Sequence, residues 1–345
     1  MKALVLAGGS ATRLRPFSHA IAKQLVPIAG KPVLEHVLRD VAATGVTDAA
    51  VIVGDTGPQI VKAIGDGSDL GLNIGYIRQE KPLGLAHCVR LARRFLGDDD
   101  FVLYLGDNML RDGIAGLARR FRAARPAAQL LVRRVPDPRE FGVAELGEDG
   151  AVLGLEEKPA RPRGDRAVLG VYFFTAAVHE AVAAIRPSAR GELEITDAIQ
   201  WLIARGAPVR AVEYEGYWRD IGRPEDVLAC SRRYLADLRP RVAGDVDAAS
   251  ELTGPVVVEP GARVRGSRIV GPALVGADSL LDGCRVGPHV AVGRGCVLRG
   301  ARVRDSIVLD GTVRIGGLAL DGALLAPVAA HSIPGRAATG RDSRI

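Results

Sequence analysis

Residues 1–16 read MKALVLAGGSATRLRP. Positions 2 to 6 form a short, mostly apolar run of the kind buried on both faces of a parallel sheet. Gly8 and Gly9 then remove side chains where the strand turns out of the sheet, so main-chain N–H groups can approach an anion or a flat base closely. Arg13 brings a planar, permanently charged fork to the same mouth. A strand, a glycine loop and an arginine in this order predict a nucleotide-phosphate cradle at the edge of an open α/β sheet.

Two familiar cradles do not fit. The P-loop needs GxxxxGK[ST], and no lysine followed by Ser or Thr stands at that spacing. The dinucleotide fingerprint needs GxGxxG, which GGSATR lacks. Downstream, Lys23 in AKQLVPI and Lys31-Pro32 before a helical pattern continue the motif.

Together these residues resemble the sugar-nucleotide pyrophosphorylases, or nucleotidylyltransferases, whose opening signature is GGxGTRLxP followed by a KxLxP segment. Within that family the nearest pattern is the long glucose-1-phosphate thymidylyltransferase branch. Ala11 stands where the family usually has glycine.

The 345 residues suffice for a large domain and a smaller one. No apolar run approaches the roughly 18 residues of a spanning helix, and the N-terminal run is too short for a signal segment, so a cytoplasmic protein without membrane contact is expected. Cys88, Cys230, Cys284 and Cys296 form no CxxC pair, which fits reduced thiols rather than a disulfide or zinc framework. The net charge of +6 comes from 40 arginines and six lysines. With aromatics at 4% and the arginines dispersed, polyanionic small substrates explain the charge better than nucleic acid does. The RRFRAAR stretch likewise reads as a solvated helix face.

Alternating elements through the first half predict an open α/β sheet, and the resemblance implies a Rossmann-like, mixed one. Strands are expected at 49–54, 73–77, 101–108, 129–135, 151–156, 167–174 and 209–214. Helices are expected at 32–44, 58–64, 112–124, 192–204 and 224–238. From Val256 to Leu325 an apolar residue recurs every five or six positions: Val258, Val264, Ile269, Val275, Leu280, Val286, Val292, Leu298 and Val303. That period predicts a left-handed parallel β-helix with these side chains stacked inside. The expected organisation is a catalytic domain over 1–240, a linker over 241–255, the β-helix over 256–326 and a polar tail over 327–345.

The chemistry concentrates in four further segments. RQEKPLGLAHCVRLA carries Gln79, whose amide offers a donor and an acceptor in one plane, matching the N3–H and O4 edge of thymine or uracil. His87 in the same segment reads as helix surface or as a group behind the site. FVLYLGDN ends in Asp107, and in open α/β sheets ligands bind beyond the carboxyl ends of the strands. A carboxylate facing phosphates needs a cation between them, and Mg²⁺ is usually held by one or two carboxylates plus substrate phosphates. The third and fourth segments are LEEKP and WRDIGRPED, the latter holding Asp220.

The resemblance implies roles residue by residue. Arg13, Lys23 and Lys158 are expected to be catalytic. Leu6, Gly8, Gly9, Gln79, Pro82 and Gly84 are expected to bind the nucleotide. Gly142, Glu157, Lys158, Val168, Tyr172 and Glu194 would hold the sugar phosphate, and Asp107 and Asp220 would hold Mg²⁺, with Trp218 as a packing or sugar-facing ring. The implied reaction joins dTTP and glucose 1-phosphate into dTDP-glucose and pyrophosphate, in a homo-oligomer. The base edge leaves UTP open as a donor. A hexapeptide β-helix also raises an acyltransferase activity, for which His289 and His331 are the only candidate bases, and neither sits in a recognisable acceptor motif. A non-catalytic relative is the third alternative.

Overall fold

A computed structural model describes residues 1–9 and 21–327. Ala11, Arg13, His331 and the rest of the tail from 328 onward lie outside the described residues. Within those described, two compact units form: one from residues 1–9, 22–25 and 33–220, the other from 21, 26–32 and 221–327.

The first unit runs β1 (Lys2–Ala7), α1 (Val33–Ala42), β2 (Asp48–Val53), α2 (Gly57–Ile64), β3 (Asn73–Arg78), α3 (Leu85–Leu91), β4 (Phe101–Leu105), β5 (Asn108–Leu110), α4 (Ala115–Ala124), β6 (Ala128–Arg134), β7 (Gly142–Leu146), β8 (Val152–Glu157), β9 (Arg166–Phe174), α5 (Val178–Ala184), α6 (Ile195–Ala204), β10 (Val209–Glu213) and β11 (Trp218–Asp220). Nine strands form one sheet in the order β8-β7-β9-β4-β1-β2-β3, with β6 pairing both β9 and β10. β1 is parallel to β2 and β4, and β2 to β3. β9 runs antiparallel to β4 and β6, which makes the sheet mixed, as expected.

Burial on both faces explains the apolar runs. Ala3 to Ala7 are all buried in β1, as are Phe101 to Tyr104 in β4. α1 places Val33, Leu34, Val37, Leu38 and Val41 on its buried face, the spacing of a core-facing helix. Its exposed face carries the Glu35–Arg39 pair at 2.9 Å.

Several boundaries differ from expectation. The strand expected over 101–108 breaks at Gly106-Asp107, because Asn108–Leu110 leaves the main sheet to pair antiparallel with β11. The helix expected from Glu192 starts at Ile195, since Glu194 has extended backbone angles.

In the second unit, a hairpin of Pro27–Ile28 and Lys31–Pro32 and the helix α7 (Pro224–Leu235) accompany the β-helix. α7 begins with Pro224 at its first position, and Asp226 Oδ2 accepts from the Arg223 N–H at 2.9 Å, a combination that satisfies a helix start. α7 packs on Pro27–Ile28 and on the strand Val290–Val292. Its Arg232 Nε donates to Asp305 Oδ1 at 2.5 Å, the same oxygen that lies 3.8 Å from His289 Nδ1.

The β-helix consists of three parallel sheets of six, five and five strands. Its first coil is not a linker. Arg241–Val242, Asp245–Val246 and Glu251–Thr253 pair in parallel with the strands of the next turn, so the fold begins at Arg241 rather than Val256. The inward stack is Val258, Val264, Ile269, Val275, Leu281, Val286, Val292, Leu298 and Val303. Leu281 replaces the expected Leu280: it lies fully buried and in register between Val264 and Leu298, and the one-residue alternation turns Leu280 away.

Buried serines couple successive coils. Ser267 Oγ accepts from the Cys284 N–H at 2.9 Å, Ser279 Oγ from the Cys296 N–H at 2.9 Å, and Ser306 Oγ from the Ala323 N–H at 3.0 Å, each spanning 17 positions. Each hydroxyl also donates to a backbone carbonyl, so no buried polar atom of these three side chains is left open. The four cysteines are free and buried. Among the described residues no helix is long and apolar enough to cross a membrane.

Candidate functional site

The parallel pairing of β1 with β4 puts Leu6 level with Leu105, so Gly8 and Asp107 leave the sheet at one lip. The close approach there has a visible cause. The Gly106 N–H donates to the Leu6 carbonyl at 2.8 Å, and a Cβ on Gly106 would stand 2.9 Å from that oxygen. Leu6 is itself buried, with its carbonyl engaged, so it supports the lip from within. Gly9 is exposed and Gly8 half-buried.

β5 and β11 bring the two aspartates together. Asp220 is in register with Asn108, the neighbour of Asp107. Lys23, on a single turn of 3₁₀ helix at Lys23–Leu25, places its Nζ 2.7 Å from Asp107 Oδ2 and 4.0 Å from Asp220 Oδ1. Asp220 reaches the ammonium that Asp107 holds because this strand pair forms. Asn108 fixes the arrangement: its Oδ1 accepts from Trp218 Nε1 at 2.8 Å and from the Gly170 N–H at 3.2 Å, and its Nδ2 donates to Asp107 Oδ1 at 3.1 Å. Trp218 also meets Phe141 edge to face, with centroids 5.5 Å apart.

At the neighbouring strand end, the Gln79 N–H donates to the Val53 carbonyl at 2.9 Å, so the residue continues the β2–β3 ladder. Its side chain reaches back to the glycine loop: a Cβ on Gly8 would lie 3.4 Å from Gln79 Oε1. Gln79 Nε2 lies 3.0 Å from His87 Nδ1. Pro82 is exposed. Gly84, expected to clear room for the base or sugar, has a more direct reason to be glycine. Its φ is +99°, and a Cβ would stand 2.4 Å from the Leu193 carbonyl oxygen. Hydrogen bonds from Leu193 N–H to the Leu83 carbonyl (2.8 Å) and from Ala86 N–H to the Leu193 carbonyl (3.0 Å) stitch these two segments together.

That stitch sets the 79–87 segment beside the expected sugar residues. Gly142 is in register with Glu157 on β7 and β8. Glu157 Oε2 accepts from Thr196 Oγ1 at 3.2 Å, and Glu194 Oε1 accepts from Ser188 Oγ at 2.9 Å. Both carboxylates converge on one guanidinium, Arg190 Nη1 lying 3.4 Å from Glu157 Oε1 and 3.2 Å from Glu194 Oε1. Burial raises the Glu157 carboxyl above its ordinary value, and the charge of Glu194 adds to it, while Lys158, Thr196 and Arg190 oppose. Burial raises Glu194 as well, against Ser188 and Arg190. Lys158 adopts φ +43°, its N–H donates to the Phe141 carbonyl at 3.0 Å, and its ammonium lies 3.9 Å from Glu157 Oε1 with 41% of the side chain exposed.

Val168 and Tyr172 sit deeper. Both are 5% exposed, and Tyr172 stacks on Phe174 with centroids 5.9 Å apart. They floor the sugar-side residues rather than open onto them. Arg190, Asn108 and Thr196 had no place in the sequence reading. The only trace of Arg190 is its position just ahead of ELEITD, where an arginine among acids looks like a surface pair.

A family model described as Nucleotidyl transferase matches residues 2–237. Glucose-1-phosphate thymidylyltransferase of Streptomyces griseus is 58% identical over 269 residues, 78% of this chain and 76% of its own length. That of Streptomyces antibioticus is 58% identical over 270 residues, with the same coverage. A solved structure from Bacillus anthracis superposes with a TM-score of 0.63 at 33% identity, over 67% of this chain and 94% of that one.

Proposed function

The chain belongs to the nucleotidyl transferase family, and we propose that it joins dTTP and glucose 1-phosphate into dTDP-glucose with release of pyrophosphate. The observation that carries this is the meeting of Lys23, Asp107 and Asp220 at the lip beside Gly8, in a chain whose relatives named above are thymidylyltransferases. An oxygen of the sugar phosphate attacks the α-phosphorus in line, and the bond from that phosphorus to the bridging oxygen breaks as pyrophosphate leaves. Nothing covalent is required of the protein, so its work is positioning and charge neutralisation.

Asp107 and Asp220 would hold Mg²⁺. The donor set fits: two hard-oxygen carboxylates already face one cationic group, Lys23 Nζ. Among the described residues no group of three or more such ligands gathers, so water and substrate phosphates would complete the shell. When bound, the ion would neutralise charge on the triphosphate. Lys23 would steady the α-phosphate and Lys158 the attacking phosphate. Gln79 would read the base, with Gly8, Gly9 and Pro82 around it, and Gly142, Glu157 and Glu194 would face the hexose. Arg13 would hold the leaving pyrophosphate. In this reading the catalytic part is residues 1–240, the β-helix serves assembly of a homo-oligomer, and the enzyme acts in the cytoplasm.

Pyrophosphate release measured over a grid of nucleoside triphosphates and sugar 1-phosphates tests this. The expected optimum is dTTP with glucose 1-phosphate, with UTP accepted more slowly. An optimum with ATP or GTP overturns the proposal.

A further inference from the structure

We infer that His87 fixes which way round the Gln79 carboxamide faces, and thereby sets a preference for thymine or uracil over cytosine at the base site. The inference rests on the proposal that Gln79 meets the base.

The two ends of a carboxamide have nearly the same shape and opposite hydrogen-bonding sense. Thymine and uracil present an N3–H donor beside an O4 acceptor, whereas cytosine presents an N3 acceptor beside an N4 amino donor. An unsupported glutamine satisfies either by turning over, and so distinguishes neither. Gln79 is supported. Its Nε2 lies 3.0 Å from His87 Nδ1, while its Oε1 is the atom nearest a Cβ built on Gly8, at 3.4 Å. A nitrogen facing a ring nitrogen can bond only if one donates and the other accepts. With the imidazole neutral and its proton on Nε2, Nδ1 offers a lone pair and the amide N–H donates to it. The inverted amide would set Oε1 against that lone pair.

The surroundings favour the neutral ring, whose commoner tautomer in any case carries the proton on Nε2. Burial pushes the His87 imidazole below its ordinary value, and the Arg90 charge adds to the effect. The Cys88 thiol, which donates to the Gly84 carbonyl at 3.6 Å, is pushed up to about 12 by burial and stays uncharged. The helix that carries His87 is held in turn, because Gly84 and Ala86 are locked against the backbone of Leu193. His87 is therefore a positioning residue, acting on the base through Gln79.

The test is the ratio of kcat/KM for dTTP to that for dCTP, measured on the wild type, His87→Leu, His87→Asn, His87→Asp and Gln79→Leu. A ratio taken within one variant cancels any loss of folded protein. His87→Leu, which removes the acceptor, and His87→Asn, which can pair with either end of the amide, are expected to lower the ratio by about tenfold. His87→Asp places an acceptor with no donor near the Nδ1 position. It is expected to keep the ratio within about threefold while lowering kcat/KM for both nucleotides alike. An unchanged ratio in His87→Leu, with Gln79→Leu collapsing it, overturns the role of His87 and leaves base reading by Gln79 standing. An unchanged ratio in both overturns both. A ratio that falls in His87→Asp as far as in His87→Leu reduces His87 to a packing residue and overturns the inference.

Discussion

Lys23 and Asp107, 84 positions apart, form a 2.7 Å ion pair at the lip of the sheet, and the lysine ammonium stands where Asp107 and Asp220 both face it. With 12% of its side chain exposed, Lys23 is shielded from water more than the lysine of a surface pair, so its charge is damped less. It also competes with any metal for the same two carboxylates.

Lys23→Met should therefore separate two properties. Turnover at saturating substrates is expected to fall by about 10²-fold or more. Binding of Mn²⁺ to the nucleotide-free protein, followed by calorimetry, should tighten, because the carboxylates lose their resident cation. Near-normal turnover, or weaker metal binding, would contradict the arrangement.

For Lys158, the role proposed above is with the acceptor substrate rather than the donor. Lys158→Ala should cost roughly 10²-fold in kcat/KM for glucose 1-phosphate and leave the KM for dTTP close to that of the parent. Steady-state kinetics with each substrate varied in turn decide this, and an effect falling mainly on dTTP would refute it.

Arg190 is the counter-charge that two carboxylates share, and it lowers both. Removing it in Arg190→Leu should raise Glu157 and Glu194 further, so a larger fraction of each is protonated at a given pH. If the ionised forms accept the sugar hydroxyls, the acid limb of kcat/KM for glucose 1-phosphate moves to higher pH. A pH–rate profile superimposable on the parent would rule this out.

Away from the site, Asp40 gives a stability prediction. Burial raises its carboxyl to about 7, against the Tyr104 hydroxyl that donates to Oδ2 at 3.1 Å. A raised folded value means the native state holds the proton more tightly than the unfolded chain. The stabilising contribution is thus complete below about pH 4 and is lost as pH rises to about 7. Asp40→Asn should remove that slope and raise stability at pH 8 by up to about 4 kcal/mol. Urea unfolding at pH 4, 6 and 8 would reveal it, and a parallel pair of curves would refute it.

How far the sequence could speak depends on range. The lip was readable because strand, glycine loop and Asp107 are each local patterns, and the sheet topology brings them together by a general rule. The β-helix was readable from its period, but the period alone misassigned Leu280 for Leu281 and missed the first coil, where Arg241–Val242 and Asp245–Val246 carry exposed or half-buried side chains. Gly84 illustrates a different limit: it was noticed, yet the backbone it avoids belongs to Leu193, more than 100 positions away. Arg190 and Asn108 each also need partners supplied by folding, Glu157 for one and Trp218 and Gly170 for the other, and no spacing announces those meetings.

The serine hydroxyls that link residues 17 apart limit how this arm can change length. Excising one whole turn rejoins a hydroxyl to an equivalent amide and keeps every valine in phase. Cutting out a few residues strands an amide in the dry interior and rotates the inward side chains toward solvent. Single residues are absorbed at the corners, where strands 16 and 18 residues apart also pair, but larger changes in length come by whole turns, as a staircase changes by entire treads.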